Sequence, residues 1–154
     1  MAQPLLRKSQ IVDVVFGDNV TVVEPANIYG CKIEDEVFVG PFVEIQKNVT
    51  IGRRTRIQSH TFICELVSIG SECFIGHGVM FINDLFSDGG PARGRQNFWK
   101  PTSIGNRVSI GSNATILPVK ICDGTVIGAG SVVTKDILKP GTYAGNPARL
   151  LRDI

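Results

Sequence analysis

The chain has 154 residues, 43% hydrophobic and 19% charged, with a formal net charge of +2; this describes one globular domain large enough for a real core. So small a charge gives no case for nucleic acid, and no apolar run approaches the ~20 residues of a membrane-spanning helix. Four scattered cysteines, Cys31, Cys64, Cys73 and Cys122, make neither a disulfide framework nor a metal cluster, so reduced thiols and a cytoplasmic location are expected.

The opening "MAQPLLRKSQ" lacks the apolar core of a signal peptide. From Phe16 onwards the chain repeats. Phe16, Val22 and Ile28 lead by one short step into Ile33, Val39, Ile45, Ile51, Ile57, Ile63, Ile69, Ile75 and Phe81, six residues apart. A second lane of small or β-branched residues runs beside it: Val37, Val43, Val49, Thr55, Thr61, Val67, Cys73 and Val79. Glycine often follows the large aliphatic, as at Gly40, Gly52, Gly70 and Gly76.

A period of six fits neither a helix of 3.6 residues per turn nor an array of tight hairpins. It fits short extended rungs joined by sharp corners, each turning one large and one small side chain inward. β-Branched residues suit such rungs, and glycine near a corner is expected to take up backbone angles that cost other residues free energy. One rung buries little, so stacked coils must share a single aliphatic column. A parallel β-solenoid follows.

After Phe81 the repeat stops. The stretch "FINDLFSDGGPARGRQNFWKP", residues 81–101, predicts a loop over about 84–102 that bulges from one corner. Long loops inside compact domains are usually functional. Arg93, Arg95 and Lys100 suit an anionic ligand, and Phe98 and Trp99 offer flat faces for a base or a sugar. The plainer reading, that the aromatic rings pack the loop and the arginines are solvated, stays open here.

The pattern resumes at Ile104, Ile110 and Ile116, then at Ile121, Ile127 and Val133 after one five-residue step, with Val108, Ala114, Thr125 and Ser131 beside it. The ending "KPGTYAGNPARLLRDI" predicts a cap over about 146–154. Asn146 would cap a short C-terminal helix with Pro147 in its first position. Leu150 and Leu151 would then cover the open end of the solenoid.

Four segments, "IGRRTRIQSH", "IGSECFIGHGVMFIN", "IGNRVSIGSNATI" and "IGAGSVVTKDI", resemble the hexapeptide-repeat acyltransferases, and the resemblance covers about residues 11–150. It implies an all-β, left-handed parallel β-helix with three hexapeptides per coil. It also implies a homotrimer with sites between subunits and acetyl-CoA as cosubstrate, with no metal. "GHGVMFINDLF" is similar to the narrower group of N-acetyltransferases acting on nucleotide-linked 3-amino sugars for bacterial surface glycans. The acceptor would be a dTDP-3-amino-3,6-dideoxyhexose or, next, a UDP-3-amino sugar. In that group the Asn-Asp pair lies at the sugar, which here is Asn83 and Asp84. The resemblance also places the coenzyme beyond the loop. Small residues there, Gly111, Ser112, Ala129 and Gly130, would let a pantetheine arm approach backbone amides, with Lys135 near the phosphates and Arg149 or Arg152 of the ending also meeting them.

Acetyl transfer needs a free amine, an oriented thioester and a donor for the oxyanion, most simply a backbone N–H. Asp84 can accept a hydrogen bond from the amine and Asn83 can hold it or a neighbouring hydroxyl. His60 and His77 are the two histidines; three hexapeptides per coil put them on adjacent coils at one side of the prism. Either can serve as general base, or the departing thiolate can take the proton and no protein base is needed. Two rival functions use the same fold: a sugar O-acetyltransferase, which leans harder on histidine, and a non-enzymatic scaffold. A γ-type carbonic anhydrase needs three histidine ligands for its zinc, and this chain has two histidines.

Overall fold

The computed structural model describes Leu5 and residues 10–154. Short strands stack into three sheets of seven, six and eight strands, parallel except for the last strand of the third. Successive strands step from face to face, so each coil takes one strand from every sheet. The first face runs from Ile11–Val12 through Asn27–Tyr29, Glu44–Ile45, Phe62–Ile63, Met80–Phe81 and Thr115–Ile116 to Val132–Val133. The second runs from Val15–Phe16 to Lys120–Ile121 and the third from Thr21–Val22 to Gly141–Ala144. This is the expected three-rung solenoid.

Register explains the two lanes. Ile28, Ile45 and Ile63 are paired directly on the first face, Ile33, Ile51, Ile69, Ile104 and Ile121 on the second, and Val39, Ile57, Ile75, Ile110 and Ile127 on the third. All of them are buried. Each contributes roughly 1.5–3 kcal/mol by leaving water. The companion lane points inward at the start of each rung, and its hydroxyls are all served. Thr55 Oγ1 donates to Gly70 O at 2.8 Å and accepts from Cys73 N at 3.1 Å, and Thr61 Oγ1 donates to Gly76 O at 2.9 Å.

The corners correct one expectation. The residue that takes positive φ is not the glycine after the aliphatic. It lies two positions later and is usually not glycine: Glu36, Phe42, Asn48, Arg54, His60, Leu66 and Glu72 all have φ between 57° and 72°. In that conformation the backbone N–H points along the solenoid axis and meets the corner carbonyl of the neighbouring coil. Arg54 N donates to Asp35 O, and Asn113 N to His77 O, at 2.9 and 2.8 Å. The left-handed geometry, uphill by roughly 1–2 kcal/mol per residue, is offset by an otherwise unmade hydrogen bond. Glycine is needed for a different reason. A Cβ on Gly70 would lie 2.6 Å from Gly105 O, and one on Gly76 would lie 2.7 Å from Ser112 N.

The ends differ. On the first coil Val14, Val20 and Val22 are only partly buried. At the other end the expected helix is absent. Residues 145–148 turn the chain back, and Arg149–Asp153 pairs antiparallel with Gly141–Ala144. The edge strand carries unpaired N–H and C=O groups, and a second strand satisfies them where a helix could not. Leu150 and Leu151 remain exposed, so they do not seal the column; Ile137, bridged to Ile121, is buried there instead.

Candidate active site

The loop leaves at the corner between the first and second faces. Residues stacked on neighbouring coils are 18 apart below it, as Thr50 and Ser68, and 35 apart across it, as Ser71 and Asn106. The ladder keeps its register on both sides. Ile82 N still donates to Ile116 O at 2.9 Å, and the loop returns where Lys100 N meets Asn83 O at 2.9 Å.

Within the loop, order comes from Asp84. Its Oδ1 accepts the N–H of Phe86 at 3.0 Å and its Oδ2 that of Ala92 at 2.7 Å. Its backbone bridges Trp99, and Ala92 is buried beneath the turn. Arg95 also faces inward to the loop: it pairs with Asp88 at 3.1 Å and lies 4.2 Å over the Phe98 ring. Two of the residues expected at a ligand therefore also brace the loop, and their charges are partly engaged by that work.

Under the loop lies an open cleft of about 470 Å³. Asn83, Asp84, Arg93 and Trp99 line it together, four of the nine residues singled out for chemistry or substrate. Arg95, Phe98 and Lys100 lie outside its walls. Asn83 is fixed by donating from Nδ2 to Glu65 O at 3.2 Å, which leaves its Oδ1 for a ligand. Three lining residues carried no signal in the repeat: Gln46, Cys64 and Glu65. Glu65 is one coil, 18 residues, from Asn83, and that step along the lane is what would have found it. Burial pushes the Cys64 thiol up to about 12, and that of Cys31 to about 11, so neither is a thiolate nucleophile at neutral pH.

The histidines stand on another corner, between the third and first faces. His60 stacks on Phe42 with ring centroids 4.9 Å apart. His77 Nδ1 shares a 2.9 Å hydrogen bond with Ser59 Oγ, and its backbone N–H donates to Ser112 Oγ at 3.2 Å. Ser112 O in turn accepts from Gly130 N at 2.8 Å. So His60, His77, Gly111, Ser112, Ala129 and Gly130 form one column. The first face, one strand wide at Met80–Phe81, separates that column from the cleft. Lys135 lies back on the loop's corner above Asn83, and Arg149 lies in the closing hairpin; both are exposed. One chain thus carries the two groups of candidate residues on neighbouring corners.

That column has one glycine crowded by the next coil and one that is open. A Cβ on Gly111 would sit 2.8 Å from Ala129 Cα, and Gly130 opens to free space at φ +67°. Among the described residues no cluster of three or more His, Cys, Asp or Glu is placed to hold a metal ion.

Family comparisons agree with this geometry. The model described as bacterial transferase hexapeptide (six repeats) matches residues 30–65, and the hexapeptide repeat of succinyl-transferase matches residues 101–135. The chain carries the hexapeptide repeat of these transferases on both sides of the loop. Bifunctional GlmU proteins from two strains of Acinetobacter baumannii are 38% identical over 125 residues, a match taking 80% of this chain and 25% of theirs. This hexapeptide-repeat chain therefore spans about a quarter of the length of those curated relatives.

Solved structures superpose along most of the solenoid. AntD, an N-acyltransferase from Bacillus cereus solved with dTDP and coenzyme A, gives a TM-score of 0.80 at 24% identity, covering 90% of this chain and 83% of AntD. A hexapeptide-repeat acetyltransferase from Vibrio cholerae, solved with acetyl-CoA, gives 0.65 at 28% identity over 81% and 71%. A perosamine N-acetyltransferase from Caulobacter crescentus, solved with coenzyme A and GDP-perosamine, gives 0.64 at 21% over 94% and 58%. The first and third are likenesses of fold.

Proposed function

We propose that the protein moves the acetyl group of acetyl-CoA to the amino group of a nucleotide-linked 3-amino sugar, as a homotrimer whose sites lie between subunits. The observation that carries this reading is the cleft under the Asp84-braced loop, where Asn83, Arg93 and Trp99 converge on a solenoid of hexapeptide repeats. Arg93 offers a cation for diphosphate, and Trp99 a face for a sugar or base. The Vibrio cholerae neighbour solved with acetyl-CoA supports the donor. Neighbours solved with dTDP and with GDP-perosamine support a nucleotide-linked acceptor; a dTDP sugar is our first choice and a UDP sugar the next.

Acetyl-CoA supplies an acetyl group already activated as a thioester. On this reading a backbone N–H of the glycine-lined column, left free by the ladder, receives the oxyanion. The amine nitrogen forms the new C–N bond as the C–S bond breaks, and its surplus proton passes to His77 or to the leaving sulfur. The Ser59 hydroxyl holds His77 in one orientation for that step. Because histidines and cleft stand on separate corners, the column of one subunit must meet the loop of the next. Phe42, Phe74 and Met80 are exposed about the histidine corner, at 58%, 42% and 40%, and suit such packing.

A specific observation keeps a second reading, sugar O-acetylation: a hydroxyl nucleophile needs a base, and His77 is held as one would be. One experiment separates them. Acetyl-CoA is incubated with dTDP-3-amino-3,6-dideoxyglucose, its galacto epimer, a UDP-3-amino sugar and the matching hydroxy sugars, and products are weighed by mass spectrometry. An acetylated amino sugar is expected. Acetylation of hydroxy sugars alone selects the second reading, and no coenzyme binding at all returns the protein to a scaffold.

A further inference from the structure

The net charge of +2 is the sum of unlike parts. In a solenoid, position in the sequence becomes height along the axis, so charges segregated along the chain are segregated in space. Residues 10–40, the first two coils, hold six carboxylates and one lysine, while residues 102–154, beyond the loop, hold six basic residues and three acidic ones. The terminal strands show this face by face. At the first coil, the strands Ile11–Val12, Val15–Phe16 and Thr21–Val22 are followed by Asp13, Asp18 and Glu24. At the last, Lys120 lies in the final strand of the second face, Lys135 just past that of the first, and Arg149 and Arg152 in that of the third.

The acids at this upper end are already engaged. Asp123 accepts from the backbone and side-chain amides of Asn106, Asp136 from the Lys120 N–H, and Asp153 pairs with Lys139 at 2.8 Å. Among the described residues Lys120, Lys135, Arg149 and Arg152 have no carboxylate partner. The same end exposes four large apolar side chains: Leu138 at 77%, Leu150 at 44%, Leu151 at 66% and Ile154 at 70%. Apolar tips among unpaired cations match a surface that is anionic outside and hydrocarbon beneath. A nucleic acid would engage the cations and leave the leucines in water.

We infer that the C-terminal end of the solenoid is a docking surface for an anionic lipid bilayer. Leu138, Leu151 and Ile154 enter the headgroup layer, and the four unpaired cations meet lipid phosphates. The acidic first coils, repelled by the same bilayer, hold the axis upright on it. Among the described residues no helix is long and apolar enough to cross a membrane, and a surface contact needs none. The inference goes beyond the acetyl-transfer reading and stands or falls separately from it.

The test sediments the full chain with vesicles of phosphatidylcholine, alone or with about one-third phosphatidylglycerol. The mixed vesicles should bind about 10-fold more tightly or better, and raising the salt from about 0.1 M to about 1 M should abolish the difference. The double variant Leu138→Ser/Leu151→Ser changes two exposed side chains outside the candidate active site. It should bind mixed vesicles about 10-fold more weakly than wild type, with an unchanged melting temperature. Equal binding to both vesicles, or binding to neither, overturns the inference. So does a double variant that binds like wild type; if a duplex oligonucleotide then displaces it, the end is a site for nucleic acid. A mass that rises with protein concentration in the absence of lipid also overturns it, because the occupant is then the acidic end of a second copy. Acetyl transfer to a soluble nucleotide sugar is untouched by each of these results.

Discussion

Single residues carry constraints here that their types do not advertise. Gly70 is held by crowding, so Gly70→Ala drives a methyl group against the Gly105 carbonyl and should destabilise by about 1–3 kcal/mol. Gly90→Ala, with nothing within 4 Å, should change the urea midpoint little; the paired unfolding curves check both. Burial holds the Cys31, Cys64 and Cys73 thiols above the ordinary value. A thiol reagent should therefore modify Cys122, the half-buried one, well before the other three, which peptide mapping would reveal. Asp123 behaves in the opposite sense. The Asn106 backbone N–H, and then its side-chain amide, lower the Asp123 carboxyl below 3.8. A carboxyl lowered by folding stabilises fully above its ordinary value and loses that contribution as pH falls through the lower folded one. Wild-type and Asp123→Ala acid-unfolding curves should accordingly differ near neutral pH and converge only below 3.8.

At the level of elements, the rungs were legible in the sequence and the exceptions were not. A six-residue beat marks Ile51, Ile57, Ile63 and their companions because every rung faces the same column, so local pattern and global fold agree. The loop was legible as a break in that beat, and four of its flagged neighbours do share one cleft. The closing hairpin was missed because Asn146 and Pro147 read equally well as a helix start or a turn; the open sheet edge, a non-local fact, decides. Glu65 was missed for a related reason. Inside "ICELV" it looks like any corner residue, and only stacking brings it beneath the loop. That loop is a self-contained element pinned by one side chain. Asp84→Ala removes two hydrogen bonds to a charged acceptor, each worth roughly 1.5–3 kcal/mol. Trypsin should then cleave after Arg93 and Arg95 about 10-fold faster or more, with the melting temperature of the solenoid unmoved. Equal cleavage rates would show that the carboxylate does not order the loop.

For the molecule as a whole, the solenoid has two unlike ends, and the closing strand Arg149–Asp153 protects one of them. A chain ending at Ala148 leaves the Gly141–Ala144 edge unpaired while the buried column stays intact. It should keep its circular dichroism yet associate, giving a rising light-scattering mass where the full chain gives a constant one. The same stacking has a consequence for recognition. Lys47, Glu65 and Asn83 follow one another at 18-residue steps along a corner, so their backbones stand one ladder spacing apart, about 4.8 Å. Nothing short of breaking hydrogen bonds can stretch or shrink that interval. Any ligand that touches two neighbours in the lane is gauged against a graduated scale set by the peptide unit itself. New side chains can change what is read at each mark, but the distance between marks is common to every solenoid of stacked strands.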